Sequence, residues 1–227
     1  SIDLKISDYK GELTVEATDI NEDAIDGSGN NARSDVTITI NRGDIADQEE
    51  TVSEIKIEVA SLQGGELYLN DNLATDSAGV TIVDGYYVFT GAALTTNADK
   101  TVTVANLTYQ PAENSSDFSN TVEFKVETSI TIKNGGTPRK LSDSTTISVE
   151  SVADAPEWNA GNTYEYTLAE DSPENLTISA ALTDTDGSEE LTYVISGLDE
   201  NLVLKIGGRT ITEGATLTQS ELNNLTV

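Results

Sequence analysis

Cysteine, histidine and methionine are all missing from this chain of 227 residues. Without cysteine there can be no disulfide, no thiolate nucleophile and no zinc–thiolate site. Without histidine the commonest general base and the commonest transition-metal ligand are gone. Aromatic residues make up only 5% of the chain, with a single Trp, which is thin for the stacking platforms that line sugar clefts. Cations are scarce too: 12 Lys and Arg stand against 40 Asp and Glu, a formal charge of −28. Such a surface repels phosphate backbones and anionic lipid, so neither nucleic acid nor membrane is expected as a partner. No apolar run approaches the ~20 residues of a membrane helix. Neither a signal peptide nor an initiator Met is visible, which reads as a mature or excised piece. What is left for metal chemistry is oxygen, and oxygen ligands favour calcium.

What is present is β pattern. The runs TVSEIKIEVA (51–60), KTVTVANLTY (100–109), NTVEFKVET (120–128) and STTISVES (144–151) alternate apolar and polar residues with period two. Thr, Val and Ile fill them, and Gly, Asn, Asp and Ser fill the gaps. No helix of ten or more residues is expected; LTQSELNNL (217–225) can form one turn. Short strands with turn signals about every ten residues predict an all-β fold of tandem antiparallel β-sandwich domains. Acidic residues on the outward positions keep such sheets soluble and discourage edge pairing.

Internal similarity sets the expected domain plan. SDVTITINRGDIAD (34–47) matches SDSTTISVESVAD (142–154), DYKGELTVEA (8–17) matches DFSNTVEFKV (117–126), and NNLTV (223–227) matches ANLTY (105–109). On this phasing residues 1–46 are the C-terminal half of a β-sandwich repeat, 47–153 a complete repeat, and 154–227 the N-terminal half of another, complementary in phase to 1–46. Three explanations fit: a period cut from a covalent tandem array, identical subunits completing one another head to tail, or an arbitrary piece of a longer protein. Head-to-tail contacts that do not close would give filaments. The expected partners are therefore adjacent repeats or identical subunits.

The acidic clusters fall at turns. In DTDGSEE (184–190), Asp184 and Asp186 lie on one side of an extended chain, Gly187 permits a sharp reversal, and Glu189 can swing back. Calcium takes six to eight oxygens at 2.3–2.6 Å, and carbonyls can supply those the side chains do not. The equivalent stretch DIADQEE (44–50) offers Asp44, Asp47 and Glu49, and VADAPEW (152–158) offers Asp154. Both fall at expected junctions, where a cation would fix the angle between units. DINEDAIDGSGNN (19–31) is a separate candidate: Asp19, Asn21 and Asp23 have the 1, 3, 5 spacing of a calcium loop, with Asp26 able to join. Ala24 and Asn30 stand where that loop needs its Gly and its bidentate Glu, and a plain surface loop is the other reading. NDNLATDSAG (70–79) is a poorer candidate.

VADAPEW, LAEDSPENLTISAALTDTDGSEELTYVISGL and LNNLTV together resemble the tandem cadherin-like or immunoglobulin-like repeats of giant RTX-type bacterial biofilm adhesins. The likeness covers 152–227 well and 47–151 loosely, where the linker lacks Pro and the Asp-Thr-Asp-Gly motif is missing; over 1–46 only strand pattern remains. It implies calcium-rigidified sandwiches, extracellular, on the cell surface or in a secreted filament, working as extenders in cell adhesion. It also implies calcium ligation by Asp154, Glu170, Asp171, Asp184, Asp186 and Glu189, and, through alignment alone, by Asp44 and Asp47.

No pair of acids stands out as catalytic, and an enzyme is not expected. The alternative is a ligand-binding module centred on the divergent middle repeat, taking a surface glycan or peptide near 70–79 and Tyr86/Tyr87. Those tyrosines also read as one core and one surface residue of a strand. Trp158, after the linker Pro156, reads as packing at a domain junction rather than stacking on a ligand. Asn-Leu-Thr at 106, 175 and 224 has the form of a glycosylation site, but Asn106 and Asn224 recur at one strand position, which a repeat consensus explains.

Overall fold

A computed structural model of the chain describes residues 11–27, 29–43, 50–118, 121–132, 137–159, 161, 163–167, 169, 172–184 and 186–227. The chain divides into two units, Ser1–Val152 and Ala153–Val227. Both are all-β; the one α-helix among the described residues is a four-residue turn.

In the first unit the strands are β1 (Glu12–Ala17), β2 (Ile20–Asn21), β3 (Ser34–Asn41), β4 (Glu50–Glu58), β5 (Glu66–Leu69), β6 (Asn72–Leu73) and β7 (Val80–Val83). They continue with β8 (Tyr86–Thr90), β9 (Thr95–Thr96), β10 (Val102–Thr103), β11 (Leu107–Gln110), β12 (Val122–Ile132), β13 (Arg139–Ile147) and β14 (Val149–Glu150). One sheet runs β6-β5-β11-β3-β10-β9, with β1 on the other edge of β3; the second runs β13-β12-β4-β8-β7. Every pairing in the two sheets is antiparallel, while the short β2–β14 pair is parallel.

Period-two alternation decides which side of each strand is covered. Along β3, Ser34, Val36, Ile38 and Ile40 are buried while Asp35 and Thr37 are exposed. Along β12, Val122, Phe124, Val126 and Ile130 are buried and Glu123, Lys125 and Glu127 are exposed. The inner faces of both sheets feed one apolar cluster that includes Ile38, Ile40, Ile55, Ile57, Phe89 and Phe124, all fully covered. Each such side chain contributes roughly 1.5–3 kcal/mol relative to exposure. The exposed ion pairs Lys56–Glu54 and Lys125–Glu123, both at 3.1 Å, contribute little beside this.

Tight turns follow their residues. Asn70 and Asp71 (φ 51° and 64°) close β5–β6, and Asp84 and Gly85 (φ 51° and 82°) close β7–β8; positive φ at both central positions suits the right-handed twist of a hairpin. A buried tie joins turn to sheet. The Tyr109 hydroxyl donates to the Leu62 carbonyl at 3.0 Å. A Cβ on Gly65 would sit 2.5 Å from the Tyr109 ring, so only glycine lets the ring lie there.

The division expected at residue 46/47 falls inside the first unit. Val36 of β3 pairs with Leu107 of β11, and β10 pairs with Ile40, so residues 12–41 share a sheet with residues 66–110. The β1–β3 and β12–β13 hairpins resemble each other because both must present an alternating face. They lie in opposite sheets of one unit, joined where Asp143 accepts the Val15 N–H at 2.9 Å.

The second unit repeats much of this pairing in shorter strands: β15 (Glu157–Trp158), β16 (Ala180–Ala181), β17 (Tyr193–Val194), β18 (Leu204–Ile206), β19 (Arg209–Ile211), β20 (Thr216–Leu217) and β21 (Leu225–Thr226), with α1 (Gln219–Leu222) before β21. The order β19-β18-β21 reproduces β6-β5-β11, with Ile206 opposite Leu225 as Leu69 is opposite Leu107. Gly207 and Gly208 (φ 52° and 86°) replace Asn70 and Asp71 in the turn. On the far edge of β21, Asn175 bridges Thr226 as Asp35 faces Thr108, and Trp158 pairs with Ala180 as Leu13 pairs with Ile40. Pairing of Tyr193 with Leu217 matches that of Ile57 with Tyr87. Thus 157–181 are the counterparts of 12–41, and the repeat begins earlier in the chain than the sequence similarity places it. Helix α1 is closed by a capping box in which Thr218 and Glu221 exchange side-chain-to-backbone hydrogen bonds.

Burial pushes the Tyr109 hydroxyl up to about 12. The folded state therefore holds this proton more tightly than the unfolded chain, whose phenol titrates near its ordinary value of about 10. Tyr109 contributes fully below pH ~10, and its contribution is lost as pH rises from there toward 12. Tyr109→Phe, followed by denaturant unfolding, is expected to cost about 1 kcal/mol at neutral pH and to flatten the alkaline loss of stability; an unchanged alkaline slope would discount the tyrosine.

Candidate functional site

The acidic turn of the second unit connects β16 to β17. Thr183 Oγ1 donates to the Ala155 carbonyl at 2.8 Å, which ties the linker residue beside Asp154 to the start of the turn. The Asp186 N–H then donates to Asp184 Oδ1 at 2.8 Å, and the Ser188 N–H to Asp186 Oδ1 at 2.7 Å. Two successive aspartate turns therefore curl the backbone, as Asp does wherever its short side chain can reach an amide two residues on. Gly187 supplies the positive φ, 96°, at which the chain reverses.

This curl leaves oxygen atoms facing inward. Asp184 is 1% exposed. Its Oδ2, Ser188 Oγ and Glu189 Oε2 are buried without a hydrogen-bond partner among the described residues. Oxygens of Asp184 and Asp186 approach within 4.8 Å of each other. An isolated carboxylate oxygen away from water is costly unless a charge offsets it. Every donor in the turn is an oxygen, the set a hard cation such as calcium takes, and carboxylate, hydroxyl and carbonyl oxygens can together meet its coordination number. The residues present fit calcium, with Asp184 and Asp186 as the side chains that would hold it; Glu189, expected beside them, is not among the acids whose oxygens come within 4.8 Å of theirs.

The remaining sequence candidates are placed as follows. Asp154 is half-buried in the linker. Glu170, Asp171, Asp44, Asp47 and Glu49 lie outside the described residues. In the first unit, Asp19, Asn21 and Asp23 are exposed and alternate with buried Ile20 and Glu22. Ile20–Asn21 is a strand, and side chains two residues apart along a strand are separated by roughly 6.5 Å. Asp19 and Asn21 thus lie along extended chain, while Asp23 stands in the turn that follows, at φ 52°. Asp19 Oδ1 accepts the Ser148 N–H at 3.0 Å, tying the segment to the approach to β14. Asp26 closes its own loop, accepting the Asn30 N–H at 3.0 Å. Of the poorer candidate at 70–79, Asn70 and Asp71 are spent on the β5–β6 turn.

Two residues escaped the sequence reading. Glu22 is fully buried, and its Oε1 accepts the Val152 N–H at 2.8 Å where the chain leaves the first unit. The signal was its phase: two residues after Ile20 it falls on the inward side, but it sits within a run of acids that reads as uniformly solvated. Ser188 stands between acidic candidates that drew the reading to themselves. The aromatic candidates divide: Tyr87 is buried and Tyr86 half-buried, so they form no shared platform. Trp158 packs against Tyr164 and Tyr193, with ring centroids at 6.3 and 6.0 Å.

Compared with known proteins, the chain matches no family model and no curated sequence. Among the described residues, no helix is long and apolar enough to cross a membrane.

Asp184→Asn separates the two jobs of this side chain, because the amide oxygen can still accept the Asp186 N–H while the second oxygen and its charge are lost. In chelator the variant is expected to melt at or above the parent's temperature. In millimolar calcium it is expected to lose about 1–3 kcal/mol relative to the parent. Equal losses in both buffers would mean that no cation is held there.

Proposed function

We propose that the chain is a calcium-stabilised structural repeat of an extracellular bacterial adhesin or surface filament, built from immunoglobulin-like or cadherin-like β-sandwiches and without enzymatic activity. The observation that carries this reading is the acidic turn at 184–189, where Asp184 and Asp186 bring oxygens within 4.8 Å and three buried oxygens lack hydrogen-bond partners among the described residues. The all-β architecture, the recurrence of one strand-pairing scheme in both units and the resemblance over 152–227 support it. The non-catalytic part is supported by composition: histidine and cysteine are both absent.

The role of the chain's own residues is electrostatic. Asp184 and Asp186 are pinned by backbone N–H groups, so their oxygens are positioned before any ion arrives. When bound, the ion supplies the positive charge that makes this arrangement favourable. Without it, repulsion among the carboxylates is relieved only by opening the turn to water. The strands that the turn connects, β16 and β17, then lose their fixed connection, and the second unit loosens. A repeat of this kind bears load only while its turns stay closed, which matches a spacer in an environment rich in calcium.

Calorimetric titration of the full chain with calcium, paired with melting in calcium and in chelator, tests the reading. Binding is expected, with magnesium a poor substitute. At one hundred times the dissociation constant, calcium should add about 2.7 kcal/mol to the unit that holds it. Absence of binding heat together with identical melting curves in calcium and chelator would remove the proposal.

A further inference from the structure

The two units share a strand-pairing scheme, and the first carries a group of residues that the scheme does not require. With Leu69 opposite Leu107 as Ile206 is opposite Leu225, Tyr68 and Asp71 correspond to Lys205 and Gly208 of the second unit. With Asp35 facing Thr108 as Asn175 bridges Thr226, Arg33 corresponds to Pro173. The segment from Leu13 to Asp35 is also five residues longer than its counterpart from Trp158 to Asn175. That longer segment holds Asp26, Asn30 and Asn31. The ladder closes in the second unit without any of these residues, so strand pairing does not account for them.

They meet around one cleft. An open cavity of about 650 Å³ is lined by Asp26, Asn30, Asn31, Arg33, Asp35 and Asp71, and Ala32 is its one apolar lining residue. Arg33 is the base of the cleft and is held from two sides. Its Cζ lies over the Tyr68 ring, 3.5 Å from the centroid, and its Nε donates to Gln110 Oε1 at 3.4 Å. The ring is tethered in turn, its hydroxyl donating to Glu66 Oε2 at 3.0 Å. The Arg33 side chain is only 22% exposed, yet its fork is unfilled. Nη1 stands 3.6 Å from Asp71 Oδ1, beyond hydrogen-bond reach, and the Asp71 side chain is 96% exposed. Among the described residues, nothing accepts a hydrogen bond from Nη1 or Nη2. A guanidinium has five N–H donors in a rigid fork, and stacking on an aromatic ring fixes the direction in which they point. Here most of a cation is covered while its strongest donors are left to an acceptor from outside the chain.

We propose that this cleft binds a neutral saccharide. A ligand with a full negative charge meets Asp26, Asp35 and Asp71, and one with a full positive charge meets Arg33. A hydroxyl both donates and accepts, so adjacent hydroxyls can take hydrogen bonds from the Arg33 fork and give them to the carboxylates. A peptide would place apolar side chains against a wall that offers only Ala32 to receive them. Tyr68 takes no part in stacking on the sugar, because its face is already occupied by Arg33. Recognition is therefore through hydrogen bonds, and the site belongs to the first unit alone, since Pro173, Lys205 and Gly208 cannot reproduce it.

Nuclear magnetic resonance of the full chain tests this by titration with methyl α-mannoside, methyl β-galactoside and methyl β-glucoside, with glucuronate and spermidine as charged comparators. The titrations are run in chelator; the cleft draws on no residue of the acidic turn, so failure here leaves the calcium reading untouched. At least one glycoside is expected to shift the Arg33 Nε–H and the Asn30 and Asn31 side-chain amides saturably, with the core amides of Phe89 and Val126 unmoved. Arg33→Lys keeps the charge and loses the fork. Asp71→Asn keeps a residue suited to φ 64° and loses the charge. Each is expected to weaken binding roughly tenfold, the equivalent of one hydrogen bond to a charged group. No saturable shift with any of the three glycosides would overturn the proposal, as would shifts of the same affinity in both variants. Saturation by spermidine alone would reduce the cleft to an acidic patch, and tighter binding of glucuronate than of the glycosides would make it an anion site; either result overturns the assignment.

Discussion

A β-strand with one apolar face and two hydrogen-bonding edges must have the face covered and the edges paired, and this double requirement organises the molecule. In the first unit it is met. The inner faces of two sheets close on Ile38, Ile55, Phe89 and Phe124, and the long strands β3, β4 and β12 are each paired on both sides. Segments that serve neither purpose become turns, and their residues obey backbone geometry instead: Asn70-Asp71 and Asp84-Gly85 where both φ values are positive, Gly65 where a ring needs room. In the second unit the same residues in the same register meet the requirement in part. Tyr193, Leu204, Leu217 and Leu225 are covered, while Leu191, Ile195 and Leu176 remain half-exposed. Shorter strands are the consequence, since a ladder is extended by the packing above it as much as by its own hydrogen bonds.

Charge is the second constraint, and it acts differently outside and inside. On outward positions such as Glu123 and Glu127, carboxylates are solvated, keep the chain soluble and make edges unattractive to one another. Once a carboxylate is drawn inward the cost changes. Glu22 Oε1 accepts the Val152 N–H. Asp184 Oδ1 accepts the Asp186 N–H, and its Oδ2 has no hydrogen-bond partner among the described residues. The same residue type thus stands on solvated positions, accepts backbone N–H groups where it is covered, and at one turn presents a covered oxygen as a candidate ligand.

Much of this was legible from residue order alone. Strand positions, the all-β class, the short helical turn near 219 and the reversal at Gly187 follow from period two, from β-branched composition and from Asp-Gly chemistry. The phase of the repeat did not follow. Residues 34–47 and 142–154 are similar because β3 and β13 are both half-covered strands that leave a hairpin, and alternation records which side of a strand is apolar without recording to which sheet it belongs. The 1, 3, 5 spacing at Asp19, Asn21 and Asp23 does not record that Ile20–Asn21 is drawn into a strand by the pairing of Ile20 with Val149, 129 residues away. Glu22 was hidden by its acidic neighbours, although its phase relative to Ile20 was there to be read.

The acidic turn bears on the rest of the second unit through β17, which starts shortly after it. Hydrogen bonds from the Asp186 N–H to Asp184 and from the Ser188 N–H to Asp186 fix the shape of the turn, and β17 pairs with β20 in one register, Tyr193 opposite Leu217. Carboxylates thus act in two ways in this chain: on outward positions they disfavour pairing between like edges, and at this one turn Asp184 carries a buried oxygen with no hydrogen-bond partner among the described residues.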